Sequence, residues 1–124
     1  MADSFKQLTT EIGMVVTRIL RADLALLAGY SQAKAQAVAR FTLALGEGYA
    51  AGTITEAEMA REKEELERMV IRFVRNIQAL ATVTIERLIS GVAEVLTAVL
   101  RRMTGLSGLM LGPAPTVIWG VGAD

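Results

Sequence analysis

Along the first third of the chain, apolar residues return in alternating steps of three and four: Phe5, Leu8, Ile12, Val15, Ile19, Ala22, Leu26, Gly29, Ala33 and Ala37. This spacing holds one stripe on one face of an α-helix and predicts a single helix over about 5–45. Ser4, with Gln7 three positions later, has the pattern of a capping box at its start. A second stripe of Val16, Leu20, Leu24 and Leu27 widens the apolar face, so the helix is expected to touch more than one neighbour. Gly29 in mid-helix costs about 1 kcal/mol relative to alanine. The small residues gathered between positions 22 and 39 offer a reason to bear that cost, since they let another backbone come close.

The stretch "GEGYAAGTITEAEM" interrupts the pattern. Gly46 or Gly48 can supply a left-handed cap that ends the first helix. Thr55 with Glu58, and Ile54 with Met59, have the spacing of a capping box and a hydrophobic staple. A second helix is therefore predicted over about 56–104, roughly 70 Å long at 1.5 Å per residue. Its apolar positions run Val70, Phe73, Ile77, Ala81, Ile85, Leu88, Val92, Val95, Val99 and Met103, and the four-residue steps around Ala81 resemble a stutter. Two long helices with a short link should fold back as an antiparallel hairpin.

The later part of that helix, "IERLISGVAEVLTAVLRRM", is polar on one narrow strip only. Glu86, Ser90, Glu94, Thr97 and Arg101 share about one quadrant of the wheel, with leucine, isoleucine and valine around most of the rest. A helix this oily is surrounded by protein or by lipid. Residues 77–100 are long enough to cross a bilayer. Glu86, Arg87 and Glu94 interrupt them, however, at roughly 2.5–3.5 kcal/mol each near the bilayer centre. Packing against protein is the preferred expectation, and membrane association is the alternative.

Beyond Thr104 the pattern stops. Gly105, Gly108 and Gly112 break the helix, Pro113 and Pro115 stiffen the chain after it, and 116–119 has β-favouring chemistry. This tail carries Leu109, Met110, Leu111, Val117, Ile118 and the chain's only tryptophan, Trp119, whereas solvated tails are polar. It either folds back on the helices or docks on a neighbour, with Trp119 as an aromatic anchor.

Composition narrows the function class. Among 124 residues 52% are hydrophobic, more than a small domain readily hides. Thirteen cations balance thirteen anions, so no net field recruits nucleic acid. Arg18, Arg21, Arg72 and Arg75 lack the interleaved aromatics of a nucleic-acid face. There is no cysteine and no histidine. Disulfides, thiol nucleophiles, Ser–His–Asp catalysis and histidine-containing di-iron sites are thereby excluded. The acidic run of Glu56, Glu58, Glu62, Glu64, Glu65 and Glu67 complements a helix N-terminus more simply than it holds a metal. The first residues lack the basic start and apolar run of a secretory signal, so the expected location is the cytoplasm or the inside of a macromolecular particle.

Together these readings predict an all-α chain. A helical hairpin domain over 1–104 would assemble into a bundle or ring, with an apolar docking tail over 105–124. The expected oligomer interface is Leu8, Ile12, Val15, Ile19, Leu26, Phe73, Ile77, Leu88, Val92, Val95 and Val99. The expected docking residues are Leu109, Leu111, Val117, Ile118 and Trp119. No catalytic, cofactor or metal site is expected. The implied role is a non-enzymatic structural protein that joins copies of itself and a further protein partner. A membrane-inserting helical subunit is the second reading, and a weak nucleic-acid adaptor the third.

Overall fold

The computed structural model describes residues 2–111, with side chains from Phe5 onward. These residues are all-helical: α1 spans Ala2–Leu20, α2 Gln32–Ala50, α3 Glu56–Arg75 and α4 Thr82–Thr104, with a short 3-10 turn at Leu24–Leu26. Each of the two long helices expected from the apolar spacing is broken near its middle. The chain is the expected hairpin folded in half.

The first break occupies 21–31. Helix α1 ends where Arg21 adopts a left-handed conformation (φ 53°) while its N–H donates to the Thr17 carbonyl at 2.7 Å. The chain then turns through the 3-10 segment, whose N-cap Asp23 accepts from the Ala25 N–H, and through Gly29 at φ 88°. Ser31 restarts the helix by accepting the Lys34 N–H at 3.1 Å. The second break, at 76–81, includes Ala79 at φ 61° and coincides with the stutter around Ala81. Left-handed non-glycine residues cost on the order of 1–2 kcal/mol each. Something must offset that cost, and the packing shows what does.

A straight hairpin would leave apolar faces on both helices open. Bending each helix back lets one chain present four helices to one core. Helices α2 and α4 pack against each other at its centre, and each also contacts α1 and α3 on either side. The N-terminal part of α1 lies beside the C-terminal parts of α2 and α4, since Leu8, Leu43, Val99 and Met103 border one cavity. The two breaks meet at the opposite end, where the Gln78 N–H donates to the Ala28 carbonyl at 2.9 Å. Helices consecutive in the chain therefore alternate in direction, and α2 and α4 run parallel to each other. Phe73, Ile12, Leu66, Leu88, Ile89, Leu96 and Leu100 are among the largest fully buried side chains. Each stabilises the fold by about 1.5–3 kcal/mol relative to exposure.

The stripe drawn along the first helix does not continue through the break. Ala33 and Ala37 are exposed, and α2 instead buries Ala35, Val38, Ala39 and Thr42. The buried Thr9 and Thr42 are satisfied locally, returning their hydroxyls to the carbonyls of Phe5 and Val38 at 2.9 and 2.8 Å.

Element ends obey local chemistry where glycine or a capping box is present. Thr55 and Glu58 form the expected reciprocal box, with Glu58 Oε1 accepting the Thr55 N–H at 2.9 Å. Met59 is buried and Ile54 packs against the core. Gly105, at φ 75°, ends α4 at Thr104 as expected. Two end signals are corrected. Helix α1 begins at Ala2, so Ser4 lies inside it. Neither Gly46 nor Gly48 ends α2, which runs on to Ala50, and Gly52 supplies the left-handed turn at φ 79°. Gly46 serves packing: a Cβ there would lie 2.7 Å from the Met103 sulfur.

Candidate interaction surface

Most residues expected at an oligomer interface lie inside the chain's own core. Leu8, Ile12, Val15, Phe73, Ile77, Leu88, Val92 and Val99 are buried there, and Ile19 and Val95 pack half-buried against it. Leu26 alone of that set faces outward, at 80% exposure in the 3-10 turn. The expectation that the stripes require a second copy rested on two unbroken rods. Four helices from one chain remove that physical ground.

The outer surface has its own apolar points. Met14 on α1, Val83 at the start of α4 and Met110 beyond it are each more than half exposed, as is Leu26. Val83 and Leu26 both lie at the end where the two breaks meet.

The segment after Gly105 is the feature that the polar strip of α4 had signalled without identifying. The chain reverses at Gly105 and runs back along α4. Arg101 Nε donates to the Leu109 carbonyl at 2.8 Å, and the Leu111 N–H donates to Thr97 Oγ1 at 3.1 Å. Lys63, reaching from α3, donates to the Met110 carbonyl at 2.9 Å. Leu111 is only 5% exposed, Leu109 is half-buried, and Met110 between them points outward. Of the residues expected to dock, Leu109 and Leu111 thus fold back onto the helices. Val117, Ile118 and Trp119 lie outside the described residues. Thr97 and Arg101 were read only as the wet side of an oily helix. Lys63 carried no signal at all, since a lysine amid glutamates reads as surface.

Two depressions border this segment, and a third adjoins the second. One of about 550 Å³ lies between Tyr49, Met59 and Lys63 on one side and Leu106 and Leu109 on the other. A second, about 370 Å³, borders Ala93, Thr97, Ala98 and Leu111. A third, about 800 Å³, lies between α1 and α4 and is lined by Ile19, Val83 and Gly91 together with the charged Arg18, Arg21, Glu86 and Arg87. The second and third share Ser90 and Glu94.

The electrostatics are those of a solvated surface. Glu58 titrates below the ordinary glutamate range because the Thr55 backbone N–H and then its side chain bond the carboxylate. Glu65 is likewise lowered, by hydrogen bonds from Arg68 and then Arg72 at 3.1 and 3.2 Å. Arg40 stacks over the Phe5 ring at 4.6 Å. Burial raises the Tyr30 phenol; its ring meets Phe73 edge-on at 5.7 Å, and its hydroxyl has no hydrogen-bond partner among the described residues. Among the described residues no three acidic groups converge as a metal set, and no helix is long and apolar enough to cross a membrane. Comparison of the chain with protein families, with curated proteins and with solved structures finds no match.

Proposed function

We propose that this chain is a non-enzymatic structural protein that joins copies of itself, and a larger assembly, through its C-terminal tail. The observation that carries the reading is the anchored segment 105–111. Lys63, Thr97 and Arg101 fix the backbone up to Leu111 against two different helices, so the apolar residues beyond it start from a defined point on the surface. A tail rich in valine, isoleucine and tryptophan, held at its root, suits an anchor inserted into a neighbour. The exposed Met14, Leu26, Val83 and Met110 offer apolar contact outside the core. The absence of histidine and cysteine from the sequence supports a role without thiol or Ser–His–Asp chemistry.

Light scattering over a dilution series tests this, with the full chain beside a version ending at Leu111. Truncation at that point spares Leu109 and Leu111, which belong to the folded body. The full chain is expected to form a larger particle than the truncated one. Equal masses across the series would overturn the proposal.

A further inference from the structure

The two breaks differ in what they do to the apolar pattern. Across 76–81 the pattern survives. Val70 and Leu88, and likewise Val74 and Val92, stand about five turns apart at 3.6 residues per turn, and all four are buried. Across 21–31 it is lost, since Val15 is buried while Ala33, at the same separation, is exposed. The connection 76–81 is also short and poorly suited to a turn. Ala79 is left-handed at φ 61°, a conformation that favours glycine. Ala81 begins α4 without a side-chain cap, so the first N–H groups of α4 forgo the carbonyls that a continuous helix supplies. The connection is tied to the other break through the Gln78 N–H and the Ala28 carbonyl. Short, strained connections between packed elements are where copies of a chain exchange those elements.

We propose that a second copy of this chain is a partner through exchange of α4. The connection 76–81 straightens, α3 and α4 become one helix, and α4 with the fold-back segment 105–111 fills the place vacated in the other copy. A two-fold axis at the hinge accommodates this. Helices α3 and α4 are antiparallel within one copy, so two straightened helices lie side by side in opposite directions. Each α4 then meets the other copy's α3 with the same polarity as in the single chain. The interface is the present core: Leu88, Ile89, Val92, Leu96 and Leu100, all buried, keep the same surroundings on α1, α2 and α3. Straightening releases Ala79 and adds helical hydrogen bonds, and it brings together the ends that carry the exposed Leu26 and Val83. The closed form prevails on dilution because it needs no second copy, and concentration favours the exchanged one. This contact goes beyond tail-mediated joining and does not depend on it.

The chain has no cysteine, so an engineered pair reports the exchange without background. A Cβ at Gly46 would lie 3.2 Å from the Met103 Cβ, close to the spacing that a disulfide bridges, and the pair joins α2 to α4. Full-length protein carrying Gly46→Cys and Met103→Cys is warmed to near its Tm at high concentration under reducing conditions, cooled, separated by size and oxidised. The two-chain fraction is expected to give covalent dimers on a denaturing, non-reducing gel, and the one-chain fraction only intrachain links. Should the cysteine pair misfold, Ala79→Gly in the otherwise unaltered chain decides the matter. Glycine eases the left-handed turn and disfavours the continuous helix. Counting both hinges, it is expected to weaken formation of the slowly dissociating dimer on the order of 100-fold. Absence of a two-chain fraction at millimolar concentration overturns the exchange. So does a two-chain fraction that holds only intrachain links, or a dimer indifferent to Ala79→Gly. Either of the last two leaves tail-mediated joining standing, because truncation at Leu111 judges that reading separately.

Discussion

Replacing Gly29 by alanine probes the contact that holds the hairpin folded in half. Gly29 sits at φ 88°, and a Cβ built there falls on the Asn76 carbonyl, with the Ile77 Cα only 3.1 Å away. Two costs add. The left-handed backbone itself penalises an L side chain by about 1–2 kcal/mol. Relieving the clash must separate the two breaks, which removes the Gln78-to-Ala28 hydrogen bond, worth about 1 kcal/mol net, and loosens the cover over the buried Ile77. A total of about 2–4 kcal/mol is a large share of the roughly 5–15 kcal/mol that stabilises a typical domain. At roughly 4 °C per kcal/mol for a chain of this size, Tm should fall by about 8–16 °C.

Gly52 supplies the control. It has nearly the same dihedral, φ 79°, but nothing lies within 4 Å of its Cβ position, so Gly52→Ala carries the backbone cost alone. Urea unfolding followed by circular dichroism, with both variants beside the unaltered protein, separates the two contributions. Gly29→Ala should lose about 1–2 kcal/mol more than Gly52→Ala, the part assigned to the clash and the broken bond. Equal losses would show that the two breaks do not bear on one another, and the account of what folds the hairpin would fail.

Two further perturbations read other features. Thr55→Ala removes one half of the capping box at α3 and should cost about 1 kcal/mol in urea unfolding. Glu58 has a folded pKa below its ordinary value of 4.5 because of the Thr55 hydrogen bonds. Its contribution is therefore fully present above that value and lost as pH falls through the lowered one. Glu58→Gln should flatten the acid limb of stability against pH, and an unchanged limb would count against the pairing. Tyr30→Phe deletes a hydroxyl that is buried without a hydrogen-bond partner among the described residues, while keeping the ring against Phe73. It should leave stability equal or raise it by up to about 1 kcal/mol. A loss beyond about 1 kcal/mol would mean the hydroxyl is satisfied in solution.

The local grammar of the chain was readable wherever a residue's chemistry acts on its own neighbours. The all-helical class, the capping box at Thr55 and Glu58, and the end of α4 at Gly105 come from spacing and turn chemistry alone, and the structure has each of them. Leu8, Ile12, Val15, Phe73, Leu88 and Val92 were identifiable as positions that must be covered, and they are.

What covers them was settled only by tertiary structure. The stretches 21–31 and 76–81 contain no proline, and their alanines and leucines suit a continuous helix, so the weaker local signals at Asp23, Gly29, Ser31 and the stutter around Ala81 do not by themselves fix a break. They break because a bent chain buries against itself what a straight one would leave open. That gain exceeds the cost of placing Arg21 and Ala79 in left-handed conformations. The same logic explains why Gly29, readable as a residue that admits another backbone, meets the Asn76 carbonyl in a turn and not along a helix face. It also explains why Lys63 and Arg101 end on tail carbonyls. Periodicity determines which side of a helix avoids water, because that depends on residues a few positions apart. Which surface meets that side depends on residues tens of positions apart, and burial summed over the whole chain made that choice.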